Sequence, residues 1–392
     1  MIYIRNKELP VQLRFALPAV ISAFVLVAAT LANPSLASEP RTAKSAAELQ
    51  NLLSIVSGGE TIILSDGNYG KLEIKKTFSP AITLKSETPF KARFHKVTVH
   101  GGGGLVVDGI QTETFAAVGG STDVALVNAR VNELAYFKNA SGLRLEGNDI
   151  DGKLHALLMN SVSDFLVRGN HIHDAQEDLM RVTGDSFDGV IEQNRFTDMH
   201  PEDRRKEGKG YNHADAIQMF GVDGKTPRNI TIRANLIYDD PATGAKTTTP
   251  QGIFLSDPGP GGYRDILIEL NLISVSSANS IYINGGQQNV IVRNNTLIPG
   301  RGDGGAVIRL AKKARFDNSG TVVRGNIMKV LFDETRKSQI GGNYVYGRNA
   351  PLARLFSGSG RTWQDYVPVQ GSPISLGSGF GAETYLKALL QQ

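Results

Sequence analysis

Five short segments recur along the middle of the chain and decide its fold. They read Asp178-Leu-Met-Arg-Val, Asp215-Ala-Ile-Gln-Met, Gln251-Gly-Ile-Phe-Leu, Asn279-Ser-Ile-Tyr-Ile and Gly305-Ala-Val-Ile-Arg. Each segment is a short apolar run that opens with a small or polar residue. Short runs of this kind, rich in branched residues and bounded by polar ones, predict β-strands rather than helices.

A second repeated segment carries an asparagine. Examples are Phe165-Leu-Val-Arg-Gly-Asn170-His-Ile and Ile266-Leu-Ile-Glu-Leu-Asn271-Leu-Ile. The asparagines that we assign to this repeat are Asn128, Asn148, Asn170, Asn194, Asn235, Asn271, Asn295, Asn326 and Asn343. A base period of about 23 residues with loops of variable length is typical of a solenoid. Asparagine tolerates the left-handed backbone region and bonds to neighbouring backbone, so we expect a ladder of asparagines at one turn.

These patterns predict an all-β fold, a single-domain right-handed parallel β-helix spanning residues 38–392. Ser45, followed three residues later by Glu48, predicts a capping helix at about 45–56 that covers the open end of the solenoid. The pattern decays after Asn343, so we expect an irregular tail at about 346–392 that ends in a short C-terminal helix, Glu383–Leu390.

The composition and charge of the chain limit the partners that can be expected. The chain has 392 residues, a net charge of only +4 and no cysteine. No basic stripe with interleaved aromatics is present, so nucleic acid is not an expected partner. Residues 1–37 have basic residues, an apolar stretch and a small-residue cleavage site, which predicts a cleaved signal peptide and a periplasmic or secreted protein, with an uncleaved N-terminal anchor as the alternative. No later segment is apolar enough to span a membrane, and we expect a monomer.

Two insertions break the repeat at the same corner of successive coils. Residues 198–212 precede the strand of Asp215, and residues 239–250 precede the strand of Gln251. Insertions from one corner of a β-helix wall a groove along one face, so we expect the functional site there.

The candidate catalytic residues on this face are Asp178, Arg181, Tyr211, His213 and Asp215. Asp178 and Asp215 open equivalent strands, so their carboxylates are expected about 5 Å apart, the spacing of adjacent strands. Two such anions need compensation by a shared proton, by the neighbouring cations Arg181 or protonated His213, or by a calcium ion. The expected ligands of that possible calcium are Glu177, Asp178 and Asp215.

Further residues of the groove are candidates for holding substrate. They are Arg204, Arg205, Lys209, Gln218, Tyr282 and Arg309. The basic loop at 204–209 can alternatively be interpreted as a solvated surface loop whose charge is partly neutralised by neighbouring acidic residues. His171 and His173 form a His-Ile-His sequence that we interpret as structural, because no metal-ligand spacing follows it.

The first third of the mature chain resembles a known enzyme family. Asp66-Gly-Asn-Tyr, Ile82-Thr-Leu-Lys-Ser-Glu-Thr-Pro-Phe-Lys and Gly104-Leu-Val-Val-Asp-Gly-Ile resemble the opening of β-helix polysaccharide lyases of the chondroitinase B and alginate lyase type. Later segments such as His213-Ala-Asp-Ala-Ile-Gln resemble the wider pectate-lyase-like superfamily. The catalytic lysine of those lyases has no counterpart on the strand Ser280-Ile-Tyr-Ile-Asn. The Asp-Pro-His-Asp tetrad of the alginate epimerases and the paired aspartates of polygalacturonases are also missing.

The expected function is an exported lyase that cleaves an acidic, uronate-containing polysaccharide by β-elimination. That reaction needs neutralisation of the uronate carboxylate, a base for the C5 proton and an acid for the leaving oxygen. Arg181 or calcium would do the first, and His213 or Tyr211 the others. The alternatives are a glycoside hydrolase that uses Asp178 and Asp215, a uronate C5-epimerase, and a non-catalytic polysaccharide-binding or export protein.

Overall fold

A computed structural model describes residues 39–210, 213–239, 250–300, 304–314, 316–347, 351–357 and 363–382. The predicted signal peptide, Tyr211, most of the second insertion and the predicted C-terminal helix at 383–390 lie outside the described residues.

Thirty strands pair in parallel into a β-helix, which confirms the predicted fold class. Each strand of a coil pairs with the equivalent strand of the next coil, and the stacked strands form three sheets, named A, B and C here. Sheet A contains Met180–Thr183, Ala214–Phe220, Pro250–Leu255, Ile281–Asn284, Val307–Ala311 and Val330–Asp333. Sheet B contains Arg41–Ala43, Thr61–Leu64, Thr77–Ser86, Gly103–Asp108, Thr122–Val127, Phe187–Glu192, Arg228–Arg233, Tyr263–Glu269, Gly286–Arg293, Thr321–Arg324 and Gln339–Ile340. Sheet C contains Asp149–Asp151, His171–His173, Arg195–Thr197, Leu236–Tyr238, Leu272–Val275, Thr296–Pro299, Ile327–Met328 and Tyr344–Val345.

In the N-terminal coils the strands are longer and pass from one sheet into the next. These strands are Gly67–Ile74, Ala92–His100, Gln111–Val118, Arg130–Glu146 and Leu157–Arg168. Near the C-terminus, Phe356–Ser357 and Val367–Pro368 form a separate antiparallel pair. Short 3₁₀ helices occupy Arg205–Glu207, Leu352–Arg354 and Trp363–Tyr366.

One α-helix, Ala46–Ile55, stands at the N-terminal end of the described residues. Ser45 Oγ accepts a hydrogen bond from the backbone N–H of Glu48 at 3.2 Å, and Glu48 Oε2 accepts one from the N–H of Lys44 at 2.8 Å. The first of these bonds satisfies an amide that the helix leaves unpaired at its first turn, and the second holds the residue that precedes the N-cap. Leu49 and Leu53 are buried in the solenoid core, so the helix caps the open coil as predicted.

The asparagine ladder joins eight of the described coils at the corner between sheets B and C. Each side-chain Nδ2 donates to the Oδ1 of the asparagine in the next coil at 2.8–3.0 Å, from Asn148 through to Asn343. The ladder position one coil before Asn148 is Ala129, whose N–H donates to Asn148 Oδ1 at 2.9 Å. The prediction that Asn128 belongs to the ladder was therefore wrong by one residue, because Asn128 instead bonds to Asp108.

The left-handed conformation at this corner belongs to the residue before each ladder asparagine. Gly147 has φ 66°, Gly169 has φ 65° and Ala234 has φ 52°. The asparagine is therefore selected for its buried amide, which bonds up and down the stack, while the turn itself is made by its predecessor.

Side chains alternate in and out along sheet A. The stacked residues Val182, Met219, Leu255, Ile283 and Leu310 point inward and are buried. Their neighbours, one residue earlier, therefore point outward on the face that the insertions border. Among the described residues, no helix is long and apolar enough to cross a membrane.

Candidate functional site

Two columns of side chains follow the same face of sheet A. The outward column contains Arg181, Gln218, Phe254, Tyr282 and Arg309, which lie in consecutive coils in one register. The polar column lies three residues earlier in the first four coils and contains Asp178, Asp215, Gln251 and Asn279. In the last coil the register differs by one residue from the sequence repeat, because Tyr282 pairs with Arg309 rather than with Ile308.

Asp178 is buried beneath the groove and is already neutralised. Its Oδ2 accepts from Arg181 Nε at 2.7 Å and lies 2.5 Å from Arg181 Nη2, while its Oδ1 accepts from the backbone N–H of Asp215 at 3.1 Å. Burial raises the pKa of Asp178, and the charge and hydrogen bond of Arg181 oppose that rise. Of the three compensating arrangements considered, the structure brings Arg181 to this carboxylate.

Asp215 and His213 form the second pair. The Asp215 side chain is 0% exposed and the His213 side chain is 44% exposed, with Nδ1 of His213 3.1 Å from Oδ2 of Asp215. Burial raises the pKa of Asp215 to about 7, although His213 acts to lower it. Burial alone would lower the pKa of His213, but the hydrogen bond and charge of Asp215 raise it. The pKa values of the two groups are therefore linked, because the charge of each acts on the other.

The structure places the predicted carboxylate pair in the expected register. Leu179 N–H bonds to the Asp215 carbonyl at 2.9 Å, and side-chain ligand atoms of Asp178, His213 and Asp215 all lie within 4.8 Å of one another. Both carboxylates, however, lie below the groove surface, at 1% and 0% exposure. Arg181 and His213 are the members of this group that reach the surface.

Sequence reasoning missed the two amides that complete the polar column. Gln251 Nε2 contacts Nε2 of His213, and Gln251 Oε1 accepts from Asn279 Nδ2 at 2.6 Å. Because an amide nitrogen only donates, Nε2 of His213 accepts in this arrangement, and Nδ1 carries the proton toward Asp215. The signal was present in the sequence, since Gln251 and Asn279 open the same repeated segments as Asp178 and Asp215.

An aromatic surface continues the outward column beyond His213. The rings of Phe254 and Tyr282 stack with centroids 4.2 Å apart and planes 12° apart. The rings of His213 and Phe254 pack edge to face, with centroids 4.6 Å apart and an angle of 74° between their planes. Both aromatic side chains are partly exposed, so the pair presents a flat apolar surface directly beside the imidazole.

Arg309 follows this surface and borders a cleft of about 510 Å³. Its guanidinium lies 2.6 Å from Glu334 Oε1, so this cation is partly neutralised. Asn279 also lines the cleft, and its buried Oδ1 has no hydrogen-bond partner among the described residues. The same holds for Oε1 of Gln218, between Arg181 and Phe254. Both carbonyl oxygens are buried in this conformation, so they are unused acceptors within the wall of the groove rather than contacts offered to a substrate.

The predicted basic loop is neutralised from within. Arg204 Nη2 lies 2.8 Å from Glu207, Lys209 lies 3.3 Å from the same carboxylate, and Arg205 Nη2 lies 2.6 Å from Asp203. Exposed pairs of this kind contribute little to stability. The loop therefore offers cations that can exchange their partners, rather than an open positive patch.

The residues expected to hold calcium do not suit that ion. Both oxygens of Asp178 are bonded, one of them to the guanidinium of Arg181. Glu177 lies 3.2 Å from His155 Nε2 and 3.6 Å from Arg181. Calcium prefers six to eight oxygen ligands, and a fixed cation among them opposes its binding.

A family model described as "Right handed beta helix region" matches residues 62–360. No curated protein sequence matches. Among solved structures, a polysaccharide lyase family 6 alginate lyase has 14% identity and a TM-score of 0.48, with 88% of this chain and 57% of that chain covered. This chain therefore spans little more than half of that enzyme.

Two further structures share the fold. The surface adhesin PfbA of Streptococcus pneumoniae has 12% identity and a TM-score of 0.50, over 78% of this chain and 89% of its own. A rhamnogalacturonan lyase has 12% identity and a TM-score of 0.46, over 85% of this chain and 94% of its own. At 12% identity, the adhesin's TM-score of 0.50 indicates a shared fold and no shared activity.

Proposed function

The chain belongs to the right-handed β-helix family, and from the groove on sheet A we propose that it is a lyase acting on an acidic, uronate-containing polysaccharide. One observation carries the proposal. His213, an exposed imidazole, stands over the buried carboxylate of Asp215 and beside the exposed aromatic pair Phe254–Tyr282.

His213 is suited to the proton transfer that β-elimination requires. Its Nε2 faces the groove side chain of Gln251, and its Nδ1 faces Asp215. When substrate displaces Gln251, Nε2 takes the C5 proton of a uronate. The electron pair of the C5–H bond forms the C4–C5 double bond, and the C4–O bond breaks with its electron pair leaving on the oxygen. A group whose pKa is tuned near neutral pH performs this transfer most effectively. Protonation of the leaving oxygen falls to the imidazolium so formed or to Tyr211.

The remaining members of the outward column support binding of a uronate chain. A sugar ring presents an apolar face that packs on the Phe254–Tyr282 surface, as apolar groups do on aromatic rings. Arg181 uses Nε and Nη2 for Asp178, which leaves the N–H groups of Nη1 for a substrate carboxylate. Arg309 supplies a second guanidinium at the far end of the column.

Hydrolysis by the two aspartates is disfavoured by their burial. A glycosidase places both carboxyl groups against the scissile bond, one of them against the glycosidic oxygen. The side chains of Asp178 and Asp215 are enclosed, so neither can touch a substrate in this conformation. Their contribution is instead to position Arg181 and His213.

The proposal is tested by incubating the purified protein with a panel of polyuronates and following ultraviolet absorbance. A lyase produces an unsaturated uronate that absorbs strongly, and His213→Ala should abolish its formation. Running the same panel in deuterated water separates an epimerase, which exchanges the C5 proton without cleaving the chain. If the protein binds a polymer but yields neither the unsaturated product nor C5 exchange on any polymer of the panel, the lyase proposal is overturned and the groove is non-catalytic.

A further inference from the structure

A second cluster of titratable side chains lies on the outer face of sheet C, away from the two columns of sheet A. Strands Asp149–Asp151 and His171–His173 are adjacent and in register, so Asp149 pairs with His171. His171 and His173 point to the same side of their strand, and their rings stack at 4.2 Å. Asp149 Oδ1 lies 2.8 Å from His173 Nε2 and 3.7 Å from His171 Nδ1.

We propose that Asp149, His171 and His173 form a binding site for one divalent transition-metal ion of the zinc class. The three ligand atoms, Oδ1, Nδ1 and Nε2, lie within 4.8 Å of one another. In a tetrahedral site with bonds of about 2.0–2.1 Å, neighbouring ligand atoms are separated by roughly 3.3 Å. The observed separations of 2.8 and 3.7 Å bracket that value.

The other polar atom of each proposed ligand is already held by a partner. His171 Nε2 bonds to Thr197 Oγ1 at 2.8 Å, which leaves Nδ1 toward Asp149. His173 Nδ1 bonds to Asp174 Oδ2 at 2.6 Å, which leaves Nε2 toward Asp149. Asp149 Oδ2 accepts from Arg130 Nε at 3.2 Å, and these side chains are 39% and 43% exposed, so solvent screens this cation far more than it screens Arg181 beside buried Asp178. Metal-binding histidines characteristically donate their second N–H in this way, because the bond fixes ring orientation and tautomer.

The donor set selects the kind of ion. Two imidazole nitrogens and one carboxylate oxygen suit zinc and related transition metals, whereas calcium and magnesium prefer oxygen ligands. All three side chains are partly exposed, so water can complete the coordination. A neighbouring set, Asp151, His173 and Asp174, is less suitable for such an ion because it offers one imidazole and two carboxylates.

The experiment uses the full chain without a polyhistidine tag, freed of metal by a chelator and then dialysed. Titration with zinc in a calorimeter should show one ion per chain, and cobalt(II) should give the visible spectrum of a site with nitrogen ligands. His171→Ala and Asp149→Asn should lose both signals. Thr197→Val removes a hydrogen bond from His171 without touching the ligand atoms, and it should weaken zinc binding roughly 10–100-fold.

A control separates this site from the groove, where Asp178, His213 and Asp215 also lie within metal-binding distance of one another. His213→Ala should bind zinc as the parent does if sheet C holds the ion. Circular dichroism establishes that each variant is folded, and Thr197→Val keeps the proposal testable if His171→Ala does not fold. No binding by the folded parent, or equal binding by parent and Thr197→Val, would overturn the proposal whether or not the groove is catalytic.

Discussion

Nδ1 of His213 lies 3.1 Å from Oδ2 of Asp215, and this contact joins an exposed ring to a carboxylate that has no access to solvent. Burial raises the pKa of Asp215 to about 7. The contact with Asp215 in turn raises the pKa of His213, which lies on the groove surface. The relationship assigns different tasks to the two residues, because only His213 can touch a substrate.

Replacing His213 by alanine should abolish most turnover and leave the fold intact. Loss of a proton-transfer group lowers the rate by about 10²–10⁴. The side chain lies outside the coil core, so the free energy of unfolding should change by under about 1 kcal/mol. Steady-state kinetics and thermal melting measure the two effects. His95→Ala, at an exposed histidine paired with Glu113, is the matched control and should keep full activity.

Asp215→Asn should move the acidic limb of the kcat/KM profile to lower pH. Asp215 raises the pKa of His213, so its neutral replacement lets that pKa fall and the imidazole stays unprotonated in more acidic solution. A pH series from about 5 to 9 on parent and variant measures the shift. An unmoved limb would show that the essential base is another group.

The raised pKa of Asp215 predicts that the free energy of unfolding depends on pH. The pKa of Asp215 is raised from 3.8 to about 7 in the folded chain, so the folded state binds more protons than the unfolded state between these values. Its favourable contribution is therefore fully present below pH 3.8 and is lost as pH rises through about 7. Denaturant unfolding should show that Asp215→Asn gains stability relative to the parent as pH rises through this window.

The fold could be predicted from the sequence because its determinants are local and repeated. Alternating apolar residues define the strands, and the asparagine recurs once per coil at a corner whose bonds run only to adjacent coils. The error at Asn128 arose because two neighbouring positions, the left-handed residue and the ladder residue, both accept asparagine. Only the bonding partners distinguish them.

The site could be predicted less completely because burial depends on neighbouring coils. The repeat register brought Asp178 and Asp215 together, but residue type alone does not show that the chain encloses both carboxylates. The pairing of Arg181 with Asp178 likewise depends on side-chain geometry. The contact of Gln251 with His213 joins residues 38 positions apart across a variable insertion, which no local pattern encodes.

The aromatic surface should govern substrate affinity rather than the chemical step. Tyr282→Ala removes one ring of the stacked pair, and we expect KM to rise about tenfold, equivalent to about 1.4 kcal/mol, with kcat nearly unchanged. Tyr282→Phe keeps the ring and should bind substrate as the parent does. A fall in kcat with unchanged KM would place Tyr282 in the reaction instead of in binding.

Asn235→Ala should destabilise the solenoid by about 3 kcal/mol, because it leaves buried partners unsatisfied above and below. The Asn235 side chain accepts from Asn194 and donates to Asn271 and to the Ile191 carbonyl, all at 3.0 Å. Denaturant unfolding measures the loss. Asn343→Ala, at the less buried end of the ladder, should cost clearly less, and equal costs would contradict the ladder as a source of stability.

The basic loop should act on substrate through a long-range electrostatic field that salt screens, because Arg204, Arg205 and Lys209 already have anionic partners. Replacing Arg204 and Arg205 together by glutamine removes the cation from Asp203 and leaves Glu207 with Lys209 alone, so the loop becomes acidic and repels a polyuronate. We expect KM to rise several-fold at low salt and the difference to shrink above about 0.1 M salt, where the screening length is about 10 Å. Arg144→Gln, which breaks an exposed pair with Glu146 on sheet B, is the control and should leave KM unchanged. A KM difference that persists at high salt would indicate a direct hydrogen bond between the loop and the polymer, because short contacts are screened far less than long-range charge.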